Sequence, residues 1–183
     1  MARLFLGLEL PNRVKSNLLE VRETTSGVKG ARWQSASQLH LTLVFLGEVN
    51  EERMFQLKDA LDGNLATVFD LWIEGVGCFG APSSPRNLWA GTFPEAPVAA
   101  LHDELRRRLE TVGFEFEARR FRPHITLARF RRHSGSVEAL LDQWHSEAFG
   151  CFPVQEVALF QSTLKPDGSE YTVKERFPLS EPD

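Results

Sequence analysis

Leu39-His40-Leu41-Thr42-Leu43 and Pro123-His124-Ile125-Thr126-Leu127 decide the fold, because they repeat one pattern roughly half a chain apart. Side chains alternate between the faces of a strand. Each His-x-Thr therefore sets an imidazole beside a hydroxyl on one face, while Leu41 or Ile125 turns into the core. Core packing alone gives no reason for His and Thr to reappear together in both halves. The repetition predicts two similar lobes facing each other, each bringing one strand-borne His-Thr pair to a central cleft.

The flanking sequence supplies the rest of each lobe. Leu4, Leu6, Leu8 and Leu10 alternate with Phe5, Gly7 and Glu9, a strand pattern. Pro11 opens a helix with Val14, Leu18 and Val21 on one face, and Gly27 is placed to end it. A loop through Trp33 leads to the first motif strand, Leu39 to Gly47. Asn50 caps the next helix, Met54, Leu57 and Leu61 form its stripe, and Gly63 closes it. Val68 to Phe79 and Asn87 to Phe93 read as strands around a loop, Gly80 to Arg86. Pro97 opens a third helix with Val98, Leu101, Leu105, Leu109 and Val112 at helical spacing and Gly113 as its stop. Strands are predicted over Phe114 to Ala118 and Pro123 to Phe130. A fourth helix carries Val137, Leu140, Leu141 and Trp144, and a final hairpin, Val154 to Leu164 and Glu170 to Phe177, turns at Pro166-Asp167-Gly168. Strands that follow one another without a helix between them exclude a purely parallel sheet, so the class is α+β.

The 183 residues, 42% of them hydrophobic, suffice for one domain over residues 1–183 without disulfides or a structural metal. With 21 basic and 25 acidic residues the net charge is -4, which excludes a polycationic nucleic-acid binder and leaves room only for a local basic patch. Cys78 and Cys151 lack a C-x-x-C partner and read as buried thiols. The apolar run near Met1 is too short for a secretory signal, and no stretch approaches the ~20 apolar residues of a membrane helix. A cytoplasmic monomer without membrane association is the expectation.

An in-line displacement at phosphorus needs a base on the attacking side and an acid on the leaving side, which two facing His-Thr units provide. Histidine moves protons near neutral pH, and threonine is a compact hydroxyl donor for a phosphoryl oxygen. Zinc chemistry lacks H-E-x-x-H or a Cys/His cluster, and acyl transfer lacks G-x-S-x-G, so neither metal nor cofactor is expected. His102, His133 and His145 read as surface residues, and Arg106-Arg107-Arg108 as a solvated helix face. From Arg119 to Arg132 the chain holds six arginines and no acid, which suits phosphate. Phe121 and Phe130, interleaved there, read as core, with stacking surfaces for bases as the alternative. Arg129 is an odd number of positions from Thr126, so it reaches the same face only if the strand ends or twists. Phe45 is a candidate for base stacking.

With these flanks the chain resembles the 2H phosphoesterases, in particular the RNA 2′,3′-cyclic phosphodiesterases also called 2′-5′ RNA ligases. The matching pieces are Arg3-Leu4-Phe5-Leu6-Gly7-Leu8 with Pro11, Arg32-Trp33, the first motif through Gly47, Arg86-Asn87-Leu88-Trp89-Ala90-Gly91, and Phe121 to Arg129. Ser162-Thr163-Leu164, Gly168 and Tyr171 also fit. The resemblance implies two pseudo-symmetric lobes of antiparallel sheet around a cleft. It implies hydrolysis of 2′,3′-cyclic phosphate ends of RNA, such as tRNA-like fragments, to 2′-phosphomonoesters. In that scheme His40 is the acid toward the 3′ oxygen, His124 is the base for water, and Thr42 and Thr126 hold the non-bridging oxygens. It also implies ATP-independent 2′-5′ ligation by reversal. Alternatives are another cyclic phosphate or 2′-5′ oligoadenylate as substrate, or an RNA-end-binding module without turnover.

Overall fold

The computed structural model describes residues 1–25 and 28–183. These form β1 (Ala2–Leu8), α1 (Asn12–Thr24), β2 (Ala31–Trp33), a 3-10 turn (Ala36–Gln38), β3 (Leu41–Val49), α2 (Glu51–Ala60), β4 (Phe69–Ala81) and β5 (Ser84–Phe93). They continue with α3 (Glu95–Thr111), β6 (Ile125–Phe130), α4 (Glu138–Trp144), β7 (Ala148–Val154), β8 (Glu156–Lys165) and β9 (Gly168–Pro178). The class is α+β, as the sequence indicates, and every ladder between named strands is antiparallel.

The strand order is β7-β4-β5-β6-β3-β1-β8-β9, with β2 alongside β6. The two motif strands are central neighbours that touch at one pair, Leu41 with Ile125. Beyond it they part. Each half then adds one strand against its motif strand, β5 or β1, and two more outside it. The two lobes inferred from the repeated motif are these halves, related by a pseudo-twofold at Leu41 and Ile125.

Strand β1 lies inside the sheet. Leu4, Leu6 and Leu8 join the main core, and Phe5 packs on the other face with Ala158 and Phe160. A Cβ on Gly7 would stand 2.6 Å from the Leu41 carbonyl oxygen, so a side chain there would push β1 off the start of β3. The helices cover the main core: Val14, Leu18 and Val21 of α1 and Val98, Leu101, Leu105 and Leu109 of α3 are buried. Each such side chain contributes roughly 1.5–3 kcal/mol through removal from water. Asn50 accepts from the Arg53 backbone N–H through Oδ1, capping α2.

Several sequence expectations are corrected. Gly80 to Arg86 is no loop: β4 and β5 pair down to Ala81 with Ser84, leaving Pro82-Ser83 as a two-residue turn. Gly80, at φ 87°, supplies the left-handed backbone where the register shifts. Helix α3 starts at Glu95, before Pro97. Phe114 to Ala118 forms no strand, whereas Ala31–Trp33, read as loop, and Ala148–Val154 do. Cys78 and Cys151 are half-buried. Arg108 is largely covered and donates to the Asp62 and Asn64 carbonyls, so the arginine run is not merely solvated. Gly27, expected to end α1, lies outside the described residues.

Candidate active site

His40 and His124 each stand one residue before their strands rather than inside them. Their rings are held alike. His40 Nδ1 is 2.7 Å from the Gln38 carbonyl, and His124 Nδ1 is 2.7 Å from the Arg122 carbonyl. A carbonyl oxygen only accepts, so each Nδ1 carries a proton, and a ring in its neutral form presents an unprotonated Nε2. Thr42 Oγ1, 2.8 Å from His40 Nε2, donates to it. The turn behind His40 is itself fixed: Gln38 donates through Nε2 to the Ser169 carbonyl and accepts from Ser35 N–H.

Extending the antiparallel register outward from Leu41 and Ile125 sets His40 opposite Thr126 and Thr42 opposite His124. All four line one cavity of about 390 Å³, together with Phe45 and Arg129. Leu41 and Ile125 are fully buried beneath it.

Arg129 reaches the cavity through a bulge. Leu88 pairs with Ala128 but Trp89 with Thr126, which leaves Leu127 unpaired and reverses the alternation. Thr126 and Arg129 thus share a face despite their odd spacing. The first motif has the same device: Leu6 pairs with Val44 and Gly7 with Thr42, skipping Leu43. Phe45 is therefore the pseudo-symmetric counterpart of Arg129. The His40 side of the cavity is aromatic, with Phe5 and Tyr171 each 4.9 Å from the imidazole, centre to centre. Across it, Arg129 stands opposite Asn87 in the ladder, and Phe79 meets His124 edge-on at 5.0 Å.

A bulged residue's carbonyl has no ladder partner, and the two halves solve this differently. The Leu127 carbonyl accepts from Gln34 N–H, next to β2. The Leu43 carbonyl accepts from His102 Nδ1 at 2.7 Å. His102 is thus no surface residue. It is buried, and its ring lies flat on Phe121 at 4.0 Å. The signal was present: His102 stands four residues after Val98, on the apolar stripe of α3. His133 and His145 are exposed, as expected. Gln34, Asn87 and Tyr171 also line the cavity. None is singled out by charge or periodicity.

Burial holds the His40 imidazole far below its ordinary 6.5, at about 4. The nearby positive charge of Arg129, His124 and Lys15 adds to this, and the hydrogen bond to Gln38 opposes it. His40 is neutral at pH 7 in the unliganded protein. No group of three His, Cys, Asp or Glu side chains placed to hold a metal occurs among the described residues. No described helix is long and apolar enough to cross a membrane.

A curled antiparallel α+β sheet with two twofold-related His-Thr pairs in one cleft defines a two-histidine architecture. The model of the 2′-5′ RNA ligase superfamily matches residues 15–165, and the chain belongs to that family. A protein of Archaeoglobus fulgidus named RNA 2′,3′-cyclic phosphodiesterase is 32% identical over 92% of this chain and 96% of its own. One of the same name from Thermus thermophilus is 35% identical over 97% of this chain and 90% of its own. The crystal structure of E. coli LigT complexed with 3′-AMP superimposes with a TM-score of 0.82 at 27% identity, covering 97% of this chain and 98% of that one.

Proposed function

We propose that this protein is an RNA 2′,3′-cyclic phosphodiesterase, a cytoplasmic monomer folded as one domain over residues 1–183, that opens cyclic phosphate ends to 2′-phosphomonoesters by His-His acid–base catalysis. The observation that carries the reading is the pairing of His40/Thr42 with His124/Thr126 in one cavity. Relatives of about the same length that bear the name support the substrate class. Water bonds to phosphorus, the P–O3′ bond breaks, and the 3′ oxygen leaves with a proton. Thr42, Thr126 and Arg129 hold the non-bridging oxygens, and Phe45 stacks on the terminal base. The base and acid come from the protein, so no metal is required. With a 5′-hydroxyl attacking phosphorus in place of water, the same step, P–O5′ forming as P–O3′ breaks and the 3′ oxygen taking a proton, gives a 2′-5′ linkage.

Two assignments of the histidines follow. In the first, His40 is the acid, and the bound phosphate anion raises its proton affinity. The second exchanges the roles. It is favoured by His40 being neutral, with Nε2 accepting from Thr42, the state of a base. A cyclic phosphate with sulfur at the 3′ position separates them, because a thiolate leaves without a proton. This substrate should restore turnover to whichever of His40→Ala and His124→Ala lacks the acid. If the oxygen substrate is hydrolysed equally well by wild type and both variants, the two-histidine reading is wrong. Product analysis on a panel of cyclic phosphates and 2′-5′ oligoadenylate tests the substrate class.

A further inference from the structure

The two halves differ most in what lies along their motif strands beyond the central pair. Carrying the correspondence of His40 with His124 along both segments sets Ala31–Trp33 against Glu115–Glu117. Ala31–Trp33 is strand β2, hydrogen-bonded along β6. Residues 115–117 make no ladder with β3. His102 takes the Leu43 carbonyl, the counterpart of the one that Gln34 takes beside β2. One seam is closed by backbone pairing, and the other stands open as a groove of about 670 Å³.

We propose that this groove, between β3 and the segment from Glu115 to Arg122, carries the nucleotides that precede the cyclic-phosphate end of a single-stranded RNA. It rests on the function proposed above and extends it from the terminus to the strand. The catalytic cavity, about 390 Å³, is near the lower limit for a small-molecule site. It has room for one terminal nucleotide, and the rest of a strand must leave it. The groove is continuous with it, sharing Thr42, Phe45 and His124.

The lining has the chemistry of a single-strand track, with arginines for phosphates and ring faces for bases. Phe45 is 67% exposed, at the junction of the two spaces. Phe79 and Phe116 stand in the wall, and the guanidinium groups of Arg122 and Arg106 lie 5.9 and 5.0 Å over their rings. Arg119 and Arg120 are exposed on the rim. Glu115 and Glu117 oppose them, and Glu117 pairs with Arg119. Among the described residues Arg120 and Arg122 have no carboxylate partner. In a protein of net charge -4, this local excess of cations suits a polyanion.

The test compares cytidine 2′,3′-cyclic phosphate with a pentanucleotide ending in the same cyclic cytidylate, on wild type and on Arg119→Gln/Arg120→Gln, over a range of salt. The wild type should favour the pentanucleotide in kcat/KM by roughly tenfold or more, equivalent to about 1.4 kcal/mol. The double variant should lose most of that advantage. Its salt slope should fall by roughly 0.7 for each phosphate that an arginine no longer neutralises, while mononucleotide turnover stays unchanged. Equal wild-type rates on the two substrates overturn the groove alone, as does an equal loss on both in the variant. So does a variant that hydrolyses the pentanucleotide normally but no longer joins it to a 5′-hydroxyl strand, which gives the groove to the acceptor. If the wild type turns over neither substrate, the function proposed for the site fails. Fluorescence anisotropy with a labelled pentanucleotide ending in a 2′-phosphate then judges the groove by itself: weaker binding by the double variant supports it, and unchanged binding overturns it.

Discussion

At the scale of single residues, the site depends on which imidazole nitrogen carries the proton. The carbonyls of Gln38 and Arg122 fix both rings with Nε2 toward the cavity. Replacing either histidine by alanine should lower turnover by about 10²–10⁴-fold, as for loss of one acid or base. Circular dichroism should show the fold retained. Thr42→Ala and Thr126→Ala should cost less, on the order of 1.5–3 kcal/mol for a hydrogen bond to a charged group. A larger loss from the threonines than from the histidines would contradict the division of roles.

The pH dependence follows from His40. With its proton affinity at about 4, the ring is neutral above that pH and charged below it. Below it His40 carries a proton and can no longer accept one from water. The acid limb of kcat/KM, which reports the free enzyme, should therefore lie near pH 4 instead of the ordinary ~6.5. It should be missing from the residual activity of His40→Gln. An acid limb near 6.5 that survives this substitution would show that His40 does not titrate in catalysis.

At the scale of elements, matched bulges at Leu43 and Leu127 set the site. Each reverses strand alternation just beyond the motif threonine, bringing Phe45 and Arg129 to the cavity. A period-two reading finds the His-Thr faces but not a bulge, whose place depends on pairing with β1 or β5, far away in sequence. His102 is the element-scale link, tying the first bulge to the segment that ends at His124. As a positioning residue it should affect catalysis more than substrate affinity. His102→Gln keeps a donor for the Leu43 carbonyl and His102→Phe keeps the stack on Phe121. Each should lower kcat with KM little changed, and His102→Ala should lower it most. A thermal melt checks that His102→Gln remains folded. If kcat of His102→Gln equals that of wild type and kcat of His102→Phe does not, stacking is dispensable and only the hydrogen bond positions the site.

At the scale of the whole molecule, the α+β class was legible because strands follow one another without a helix between them, and the two lobes because one polar pattern occurs twice. The strong local signals also appear in the structure: Asn50 capping α2 and the turn at Pro166-Asp167 joining β8 to β9. What the sequence did not carry is long-range pairing. Ala31–Trp33 is a strand because β6 offers it an edge, and Phe114 to Ala118, with the more strand-like pattern, is not because it makes no ladder with β3. Edges and partners belong to the assembled sheet.

The function proposed for that sheet is a specific bond cleavage by side chains alone. It is tested most directly by incubating the purified protein with an oligonucleotide bearing a 2′,3′-cyclic phosphate in excess EDTA and locating the phosphate on the product. The expected result is full conversion to the 2′-phosphomonoester at the same rate with and without EDTA, because two histidines provide both proton transfers. A 3′-phosphate product, or activity lost to EDTA and restored by a divalent metal, would contradict it.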